Sequence, residues 1–374
     1  MDFELDDTQT MLKDGVARFV EREYGFDQRQ AVVAGGGLSG RNWATFAELG
    51  WLGAPIPEEY GGFGGGPEEA MVILEQFGRA LVVEPYLAMA VLAPQTLIGS
   101  GDPRTAELIG QIALGEQKLV LAHSEPAARG VLSHVSTTAV AHGDTWRLRG
   151  LKSLVLGAPF ADKLIVSARI AGEVAAPEGV ALFLVDRALP GVEARDFRLS
   201  DGSAASEIIF DDAVIDVDAM LAGASTGLSA IRRGHAFAIA GLCAEAVGAM
   251  DAAIWITRDY LKTRTQFGQP IGNFQALQHR MAEMLVEMEL SRSAVFRAVA
   301  MLDADDHLRD RAAASAKVQI GKSAKFVGGQ AIQLHGGIGV TEEYVIGHYF
   351  KRLTLLDNLF GPSETHLSYL AGER

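Results

Sequence analysis

The sequence predicts an α+β protein with three parts in series: an N-terminal helical domain, a middle domain of β-strands and a C-terminal four-helix bundle. Three observations predict this order. Apolar residues recur at helical spacing near the N-terminus, short segments of high β propensity follow, and long helical periodicity returns for the remainder. We therefore expect domains over residues 1–117, 118–226 and 227–374.

In the N-terminal domain, helical patterns alternate with glycine-rich turns. Glycines cluster between Gly35 and Gly40 and between Gly61 and Gly66, and such clusters interrupt helices. The second cluster lacks the lysine and hydroxyl residue of a phosphate-binding loop, which favours a flexible turn over a nucleotide cradle. The predicted helices are Thr8–Arg22, Asn42–Leu49, Pro67–Ala80, Leu87–Ser100 and Thr105–Leu114.

Six segments of the middle domain have the length and composition of β-strands. No helical stretch separates them, so they predict an antiparallel sheet or barrel. The segments are 118–125, 134–143, 145–157, 162–170, 179–186 and 206–215.

Helical periodicity after residue 227 predicts the four-helix bundle. The longest apolar run, Ala236 to Ile256, is long enough to cross a membrane, but Glu245 and Asp251 interrupt it and its small residues suit close helix packing. We therefore expect a buried helix and no membrane span. The predicted helices are Ser229–Thr263, Phe274–Asp303, Leu308–Leu334 and Pro362–Leu370.

Composition excludes several classes of protein. The apolar fraction of 48% in 374 residues is enough for a large core, and the net charge of -14 argues against nucleic acid because an acidic surface repels phosphates. Cys243 is the only cysteine, which excludes a disulfide framework and a cysteine metal site. The opening segment MDFELDDTQT has no apolar signal core, so we expect a cytoplasmic protein.

Arg264 and Phe267 stand in the turn between the first two predicted helices of the bundle. Gly268, Pro270 and Gly272 interrupt the helical pattern there. A planar, permanently charged guanidinium suits a pyrophosphate, whereas an arginine at a helix end also offsets the helix dipole. Both interpretations fit the residues taken alone.

Four segments resemble, in order, motifs of the acyl-CoA dehydrogenase family. RTQFGQPIGNFQALQHRMAEM (264–284) is similar to its arginine, Phe-Gly, Pro-Ile and Phe-Gln signature, and QAIQLHGGIGVTEEY (330–344) to its paired-glycine segment. PIPEEYGGFGGG (55–66) and LEQFGRA (74–80) stand where the family has comparable motifs. The resemblance implies the same α, β, α architecture, with FAD between the middle and C-terminal domains. It also implies a dimer or a dimer of dimers in which the neighbouring subunit completes each FAD site.

By this resemblance two segments would hold most of the FAD. Arg264, Thr265 and Gln266 would approach the pyrophosphate and ribose, and Gln333 to Gly337 would hold the adenine end. The paired glycines either let the backbone come close to a ligand or form a helix-ending turn. No metal is expected, since no second histidine or carboxylate stands at metal spacing around His335. The expected cofactor-binding residues are Ser124, Leu154, Leu156, Arg264, Thr265, Gln266, Phe267, Phe274, Gln275, Gln333, Leu334, His335, Gly336, Gly337, Ser363 and Thr365.

The catalytic half of the family's pattern is altered in this chain. The family's reaction needs a carboxylate to remove the proton α to a thioester carbonyl while the β-hydrogen leaves as hydride. By the family's spacing, Gly361 stands at the position of the catalytic glutamate and Ala238 at the alternative base position. Neither residue can accept a proton, so we expect no catalytic residue in this chain. Leu154 to Leu156 replace a tryptophan-isoleucine-threonine segment, which removes a hydroxyl donor to the flavin ring.

Three segments, YLKTRTQFGQPIGNFQALQHR (260–280), HGGIGVTEEYVIGHYFKRLTLLDNLFG (335–361) and MDFELDDTQTMLKDGVARFV (1–20), resemble the small subunit of pimeloyl-CoA dehydrogenases. In such enzymes two related chains assemble and one supplies the base. The resemblance implies an FAD-binding subunit that acts on an acyl-CoA, as a homo-oligomer or as a heterotetramer with a related subunit. An electron-transfer flavoprotein would be the electron acceptor. Two alternatives are a self-sufficient dehydrogenase whose base is Asp357 or Glu364, and a flavin-free structural subunit.

Overall fold

The computed structural model describes residues 4–372; residues 1–3, which open the MDFELDDTQT segment, and residues 373–374 lie outside the described residues. The described chain forms two compact units. The first contains the residues up to Ala31, Met71–Val82 and the residues from Ile239 onward, and the second contains Val32–Ala70 and Val83–Ala238. The domain boundaries at residues 117 and 226 stay predictions.

The N-terminal helices form where the apolar periodicity predicts them, with one addition. Helix α1 begins with a capping box, in which Asp6 accepts from the backbone N–H of Gln9 and the Gln9 side chain accepts from that of Asp6. Helix α2 was not predicted, because its apolar residues form no clear stripe. A π-helical segment, Leu87–Leu92, leads into α5. The helices are α1 Asp7–Glu23, α2 Phe26–Ala34, α3 Gly40–Glu48, α4 Pro67–Ala80, α5 Ala93–Ser100 and α6 Thr105–Ala113.

Eight strands of the second unit form one sheet, in the order β6-β7-β3-β2-β4-β5-β8, with β1 beside β4. Strand β6 was not predicted, because nearly all of its residues are exposed and it lacks an apolar face, and the short β8 was also missed. The strands are β1 Leu119–Ala122, β2 Thr138–His142, β3 Thr145–Leu156, β4 Lys163–Arg169, β5 Val180–Asp186, β6 Val192–Arg198, β7 Ala204–Asp216 and β8 Met220–Ala222.

The sheet is mixed, so the antiparallel prediction is wrong at two places. Strands β1 and β2 both run parallel to β4, with Leu119 opposite Lys163 and Thr138 opposite Arg169. The pairs β2–β3, β3–β7, β4–β5, β5–β8 and β6–β7 are antiparallel. The β2–β3 hairpin lies between β1 and β4 in the sequence and returns the chain in its original direction. The predicted α+β fold class is confirmed.

The described C-terminal region has five helices rather than four. The additional helix, α10, packs against α9, and Lys317 of α9 donates from Nζ to the carbonyl oxygens of Leu356 (2.5 Å) and Asp357 (2.9 Å) at its end. The last carbonyls of a helix have no hydrogen-bond partner inside that helix, so the buried ammonium of Lys317 satisfies these two. The helices are α7 Gly227–Thr263, α8 Gln275–Ala300, α9 Asp306–His335, α10 Ile346–Asn358 and α11 Ser363–Leu370.

Helix α7 is the one helix within residues 4–372 that is long and apolar enough to cross a membrane, and its apolar window is entirely buried. Its two interrupting carboxylates are both paired. Glu245 forms an ion pair with Arg352, and Asp251 forms one with Arg79. The prediction of a buried helix is confirmed.

Candidate functional site

A short hairpin separates α7 from α8. Its strands, β9 (Thr265–Gln266) and β10 (Gln269–Pro270), pair antiparallel, and Phe267 and Gly268 form the tip. Both tip residues have positive φ, 52° and 79°, as a two-residue hairpin turn of type I′ requires. Phe267 is 90% exposed, so the turn displays its ring rather than burying it.

Arg264 lies at the base of this hairpin and is held by the backbone on both sides. Its N–H donates to Tyr260 O at 2.8 Å, and its carbonyl accepts from Ile271 N at 2.9 Å. The guanidinium is exposed and has no ion-pair partner in the described part of the chain. Phe274 meets Phe267 edge to face at 6.1 Å. The predicted cation and ring are therefore presented on a fixed backbone.

The end of α9 packs beside the end of α7. The His335 ring stacks on Tyr260, with ring centroids 4.4 Å apart, and Tyr260 Oη donates to His335 O at 3.3 Å. Tyr344 flanks both rings. Because Tyr260 lies one helical turn before Arg264, this stack brings together the two segments that the sequence predicts to bind FAD.

His335 itself is buried and oriented by the backbone. Its Nδ1 donates to Ala331 O at 2.8 Å, and its Nε2 has no hydrogen-bond partner among the described residues. Burial lowers the pKa of His335 below its ordinary value, although the Ala331 carbonyl opposes this. A neutral ring with one unsatisfied acceptor nitrogen can receive a hydrogen bond from a ligand.

The glycine pair after His335 is open. Gly336 ends α9 with φ 62° and ψ -140°, which lies outside the left-handed helical region of an ordinary glycine cap and is accessible to glycine. Gly336 and Gly337 are exposed, and a Cβ added to either would meet nothing within 4 Å. The backbone here can therefore be approached closely by another molecule.

The remaining predicted residues of the first unit lie around these segments and on α11. Gln275 begins α8 and is exposed, as is Gln333, while Leu334 is buried in α9. Ser363 and Thr365 lie in the first turn of α11 and are half-buried.

Ser124 and Leu154 belong to two segments of the second unit that are joined by a hydrogen bond. Ser153 N donates to Ser124 O at 2.8 Å, which ties the segment after β1 to β3. Leu154 has a φ of 52° and lies in a bulge of β3, where the register with β7 shifts between Lys152 and Val155. Ser124 is exposed, and Leu154 and Leu156 are half-buried.

The two residues that the sequence predicts at base positions, Gly361 and Ala238, both lie in the described chain. Ala238 is buried in α7, with Ile239 beside it. Gly361 has a φ of 91° and follows Phe360, whose φ is 58°. His366 Nε2 donates to Phe360 O at 2.9 Å and so fixes this turn.

Of the two carboxylates nearest to Gly361 in the sequence, Asp357 forms an ion pair with Lys325 and Glu364 is exposed. Asp357 is buried, and its Oδ2 lies 2.8 Å from Lys325 Nζ. Burial would raise the pKa of Asp357, but hydrogen bonding to Lys325 and the charge of Lys317 hold it below its ordinary value. Glu364 is exposed, 3.8 Å from the same lysine. Asp357 is therefore engaged through Oδ2, while its buried Oδ1 has no hydrogen-bond partner among the described residues.

Two buried lysines were not predicted from the sequence. Lys152 lies inside β3 and Lys317 inside α9, and neither side chain is accessible to solvent. A lysine within an apolar strand is the signal that could have identified the first, because a buried ammonium needs partners. Lys317 sits among small residues of a helix and carries no comparable signal.

Three protein-family domains match consecutive parts of the chain. They are the acyl-CoA dehydrogenase N-terminal domain over residues 6–106, the middle domain over 120–213 and the C-terminal domain over 226–373. Together with the helices, mixed sheet and helices of the fold, these three matches in order identify an acyl-CoA dehydrogenase-type oxidoreductase, a class of flavoproteins.

Individual relatives agree with this class. A probable acyl-CoA dehydrogenase, YngJ of Bacillus subtilis, is 30% identical, with 97% of each chain covered. Acryloyl-CoA reductase (NADH) of Anaerotignum propionicum is 28% identical over 100% of this chain and 96% of its own. A solved structure of a variant of the Tcur3481-Tcur3483 steroid ACAD superposes with a TM-score of 0.87 at 29% identity, covering 98% of this chain and 97% of that one. The chain belongs to the acyl-CoA dehydrogenase family.

Proposed function

We propose that this chain is the FAD-binding subunit of a heteromeric acyl-CoA dehydrogenase-type oxidoreductase and that a homologous partner supplies the catalytic carboxylate. One observation carries the proposal. By the family's spacing, Gly361 and Ala238 correspond to its two base positions. Arg264 and the Gly336–Gly337 pair of the predicted nucleotide-binding segments are exposed, and the glycines leave open space.

The residues of the first unit fit a flavin dinucleotide. Arg264 offers an exposed guanidinium to a pyrophosphate, and Gly336 and Gly337 leave room for a ligand against the backbone. His335 Nε2 is a buried acceptor whose hydrogen bond is unmade among the described residues. When bound, FAD supplies the hydride acceptor of α,β-desaturation.

The missing function is proton removal. The proton α to a thioester carbonyl must pass to a carboxylate within hydrogen-bond reach. Asp357 is held by Lys325 and Glu364 is exposed, which favours a carboxylate from another chain over the self-sufficient alternative. A carboxylate from a homologous chain would complete the reaction.

The name of one similar structure joins two chains, Tcur3481-Tcur3483, in a steroid acyl-CoA dehydrogenase, which favours a heteromeric assembly. We propose an acyl-CoA as substrate and an electron-transfer flavoprotein as electron acceptor. Since one relative is named a reductase and another a dehydrogenase, both directions of the reaction belong in the assay.

The test is to purify this chain alone and co-expressed with a homologue that contains the family's glutamate. We expect a yellow complex that oxidises an acyl-CoA with an artificial electron acceptor, and negligible turnover by this chain alone. The matched control is the complex whose partner carries glutamine in place of that glutamate, which should bind flavin but not turn over. Turnover by the single chain contradicts the heteromeric proposal, and a colourless complex that takes up no added FAD favours the structural subunit.

A further inference from the structure

A fully buried ion pair lies close to Ser124 and Leu154 in the chain, since Glu125 follows Ser124 and Lys152 lies two residues before Leu154. Lys152 Nζ donates to Glu125 Oε1 at 2.7 Å, to Ser167 Oγ at 2.9 Å and to His123 O at 3.3 Å. The side chains of Lys152 and Glu125 are 0% and 1% exposed. An ammonium placed so deep is stable only with several such partners.

Glu125 is satisfied just as completely. It accepts from Ser136 N at 2.7 Å and from Thr137 N at 3.0 Å, and the Ser136 hydroxyl also donates to it. The Glu125 carboxylate therefore fixes two segments: its own, which follows β1, and the residues just before β2.

These contacts hold the backbone on both sides of Ser124. His123 O and the Glu125 side chain flank it, and both bind the same ammonium. Lys152 immediately precedes Ser153, whose N–H donates to Ser124 O. The ion pair therefore joins two chain segments at positions next to Ser124 and Leu154, the residues that would face the flavin ring.

The β-sheet does not hold this part of β3. Ladder pairing with β7 lapses between Lys152 and Val155, so Ser153 and Leu154 have no direct partner opposite them. Leu154 also adopts a positive φ of 52°, which costs a non-glycine residue roughly 1 kcal/mol or more. Contacts outside the ladder therefore stabilise this conformation, among them the hydrogen bond from Ser153 N to Ser124 O, which lies next to both residues of the buried pair.

We propose that the Lys152–Glu125 pair positions Ser124 and Leu154 for the flavin ring. This inference rests on the proposed function, in which FAD binds to this chain. A role in packing alone would not need charges, because apolar residues of similar volume often replace a buried ion pair at no cost in stability.

The experiment compares Glu125→Gln, Lys152→Met and the double variant with Arg149→Met, all in the complex with the co-expressed homologue. Arg149 lies on the same strand and makes an ion pair of the same 2.7 Å length with Asp212, but that pair is exposed. The measurements are the Kd for FAD, the visible absorbance spectrum of the bound flavin and the thermal midpoint of the apoprotein.

Each single variant leaves one buried charge without its counter-charge, so we expect a lower thermal midpoint. The double variant removes both charges and should recover most of that loss. It should nevertheless raise the Kd for FAD about tenfold and shift the flavin absorbance band, because the ring loses its fixed neighbours. Arg149→Met should change none of these quantities.

Two outcomes separate the inference from the proposed function. If the unmodified complex binds FAD and the double variant keeps the same Kd and spectrum, the positioning role is wrong while the proposed function stands. If the unmodified complex takes up no FAD into this chain, both are wrong.

Discussion

Lys325 Nζ lies 2.8 Å from Asp357 Oδ2, and this ion pair holds the buried carboxylate that stands closest before Gly361 in the sequence. The pair joins α9 to the end of α10, where Lys317 also binds the last carbonyls. A carboxylate bound in this way stabilises the fold, and its ion pair with Lys325 opposes a role as the base.

The first prediction concerns Asp357 and Glu364. Asp357→Asn should lower the free energy of unfolding by about 2–3 kcal/mol, because it removes the buried partner of Lys325 and a counter-charge of the buried Lys317. Glu364→Ala should have almost no effect, since its side chain is exposed. Neither change should lower the rate of the assembled enzyme per bound FAD. Urea unfolding and initial rates check this, and a hundredfold loss of rate in folded Asp357→Asn would identify it as the base.

The second prediction is that Gly361→Glu does not create an active single chain. A φ of 91° strains any residue with a Cβ, although the nearest atom to such a Cβ, His366 Nε2, is an acceptable 3.4 Å away. We expect a loss of about 1–2 kcal/mol in unfolding free energy. Gly361→Ala is the matched control for backbone strain and should be equally destabilised. Turnover by the isolated Glu variant above that of the Ala variant would contradict the expectation.

The third prediction is that Arg264→Ala weakens FAD binding at least about tenfold, because the pyrophosphate loses a charged, bidentate donor. Stability should change by less than about 0.5 kcal/mol, since the side chain is exposed. Arg258→Ala is the control, because Arg258 lies near the same helix end but is engaged with Asp259 and the Trp255 ring. Fluorescence titration of FAD measures both, and equal Kd values for the two variants would exclude Arg264 as a pyrophosphate ligand.

The fourth prediction separates the two glycines after His335. Gly336→Ala should cost about 1–2 kcal/mol in stability because of its positive φ, whereas Gly337→Ala should cost little. Both should weaken FAD binding if the adenine end lies against this backbone. Thermal unfolding and FAD titration test this, and an unchanged Kd in Gly337→Ala would mean that the ligand does not approach there.

The fifth prediction concerns acid stability. Burial opposes ionisation of Glu125, but Lys152 and the donors of Ser136 and Thr137 lower its pKa from 4.5 to about 2. Because the folded pKa is the lower one, its contribution is complete above pH 4.5 and is lost as the pH falls toward 2. The unmodified chain should therefore lose about 3 kcal/mol more than Glu125→Gln across that interval. Urea unfolding at several pH values measures the difference, and parallel pH profiles would contradict it.

The turn between α7 and α8 could be predicted from Gly268, Pro270 and Gly272, and a turn after His335 from its two glycines, because glycine and proline set the backbone directly. The β9–β10 pairing and the positive φ of Phe267 were not predicted, because phenylalanine does not favour that conformation. The assignment of base positions to Gly361 and Ala238 stays a prediction.

The α, β, α order follows from the sequence, because apolar periodicity and turn chemistry act over a few neighbouring residues. Only the folded chain reveals that β1 pairs parallel with β4, that Tyr260 stacks on His335, that Lys325 holds Asp357 and that Lys152 lies buried against Glu125. Each of these contacts joins residues far apart in the chain. Their formation depends on which surfaces the whole fold removes from water, and no local pattern records that.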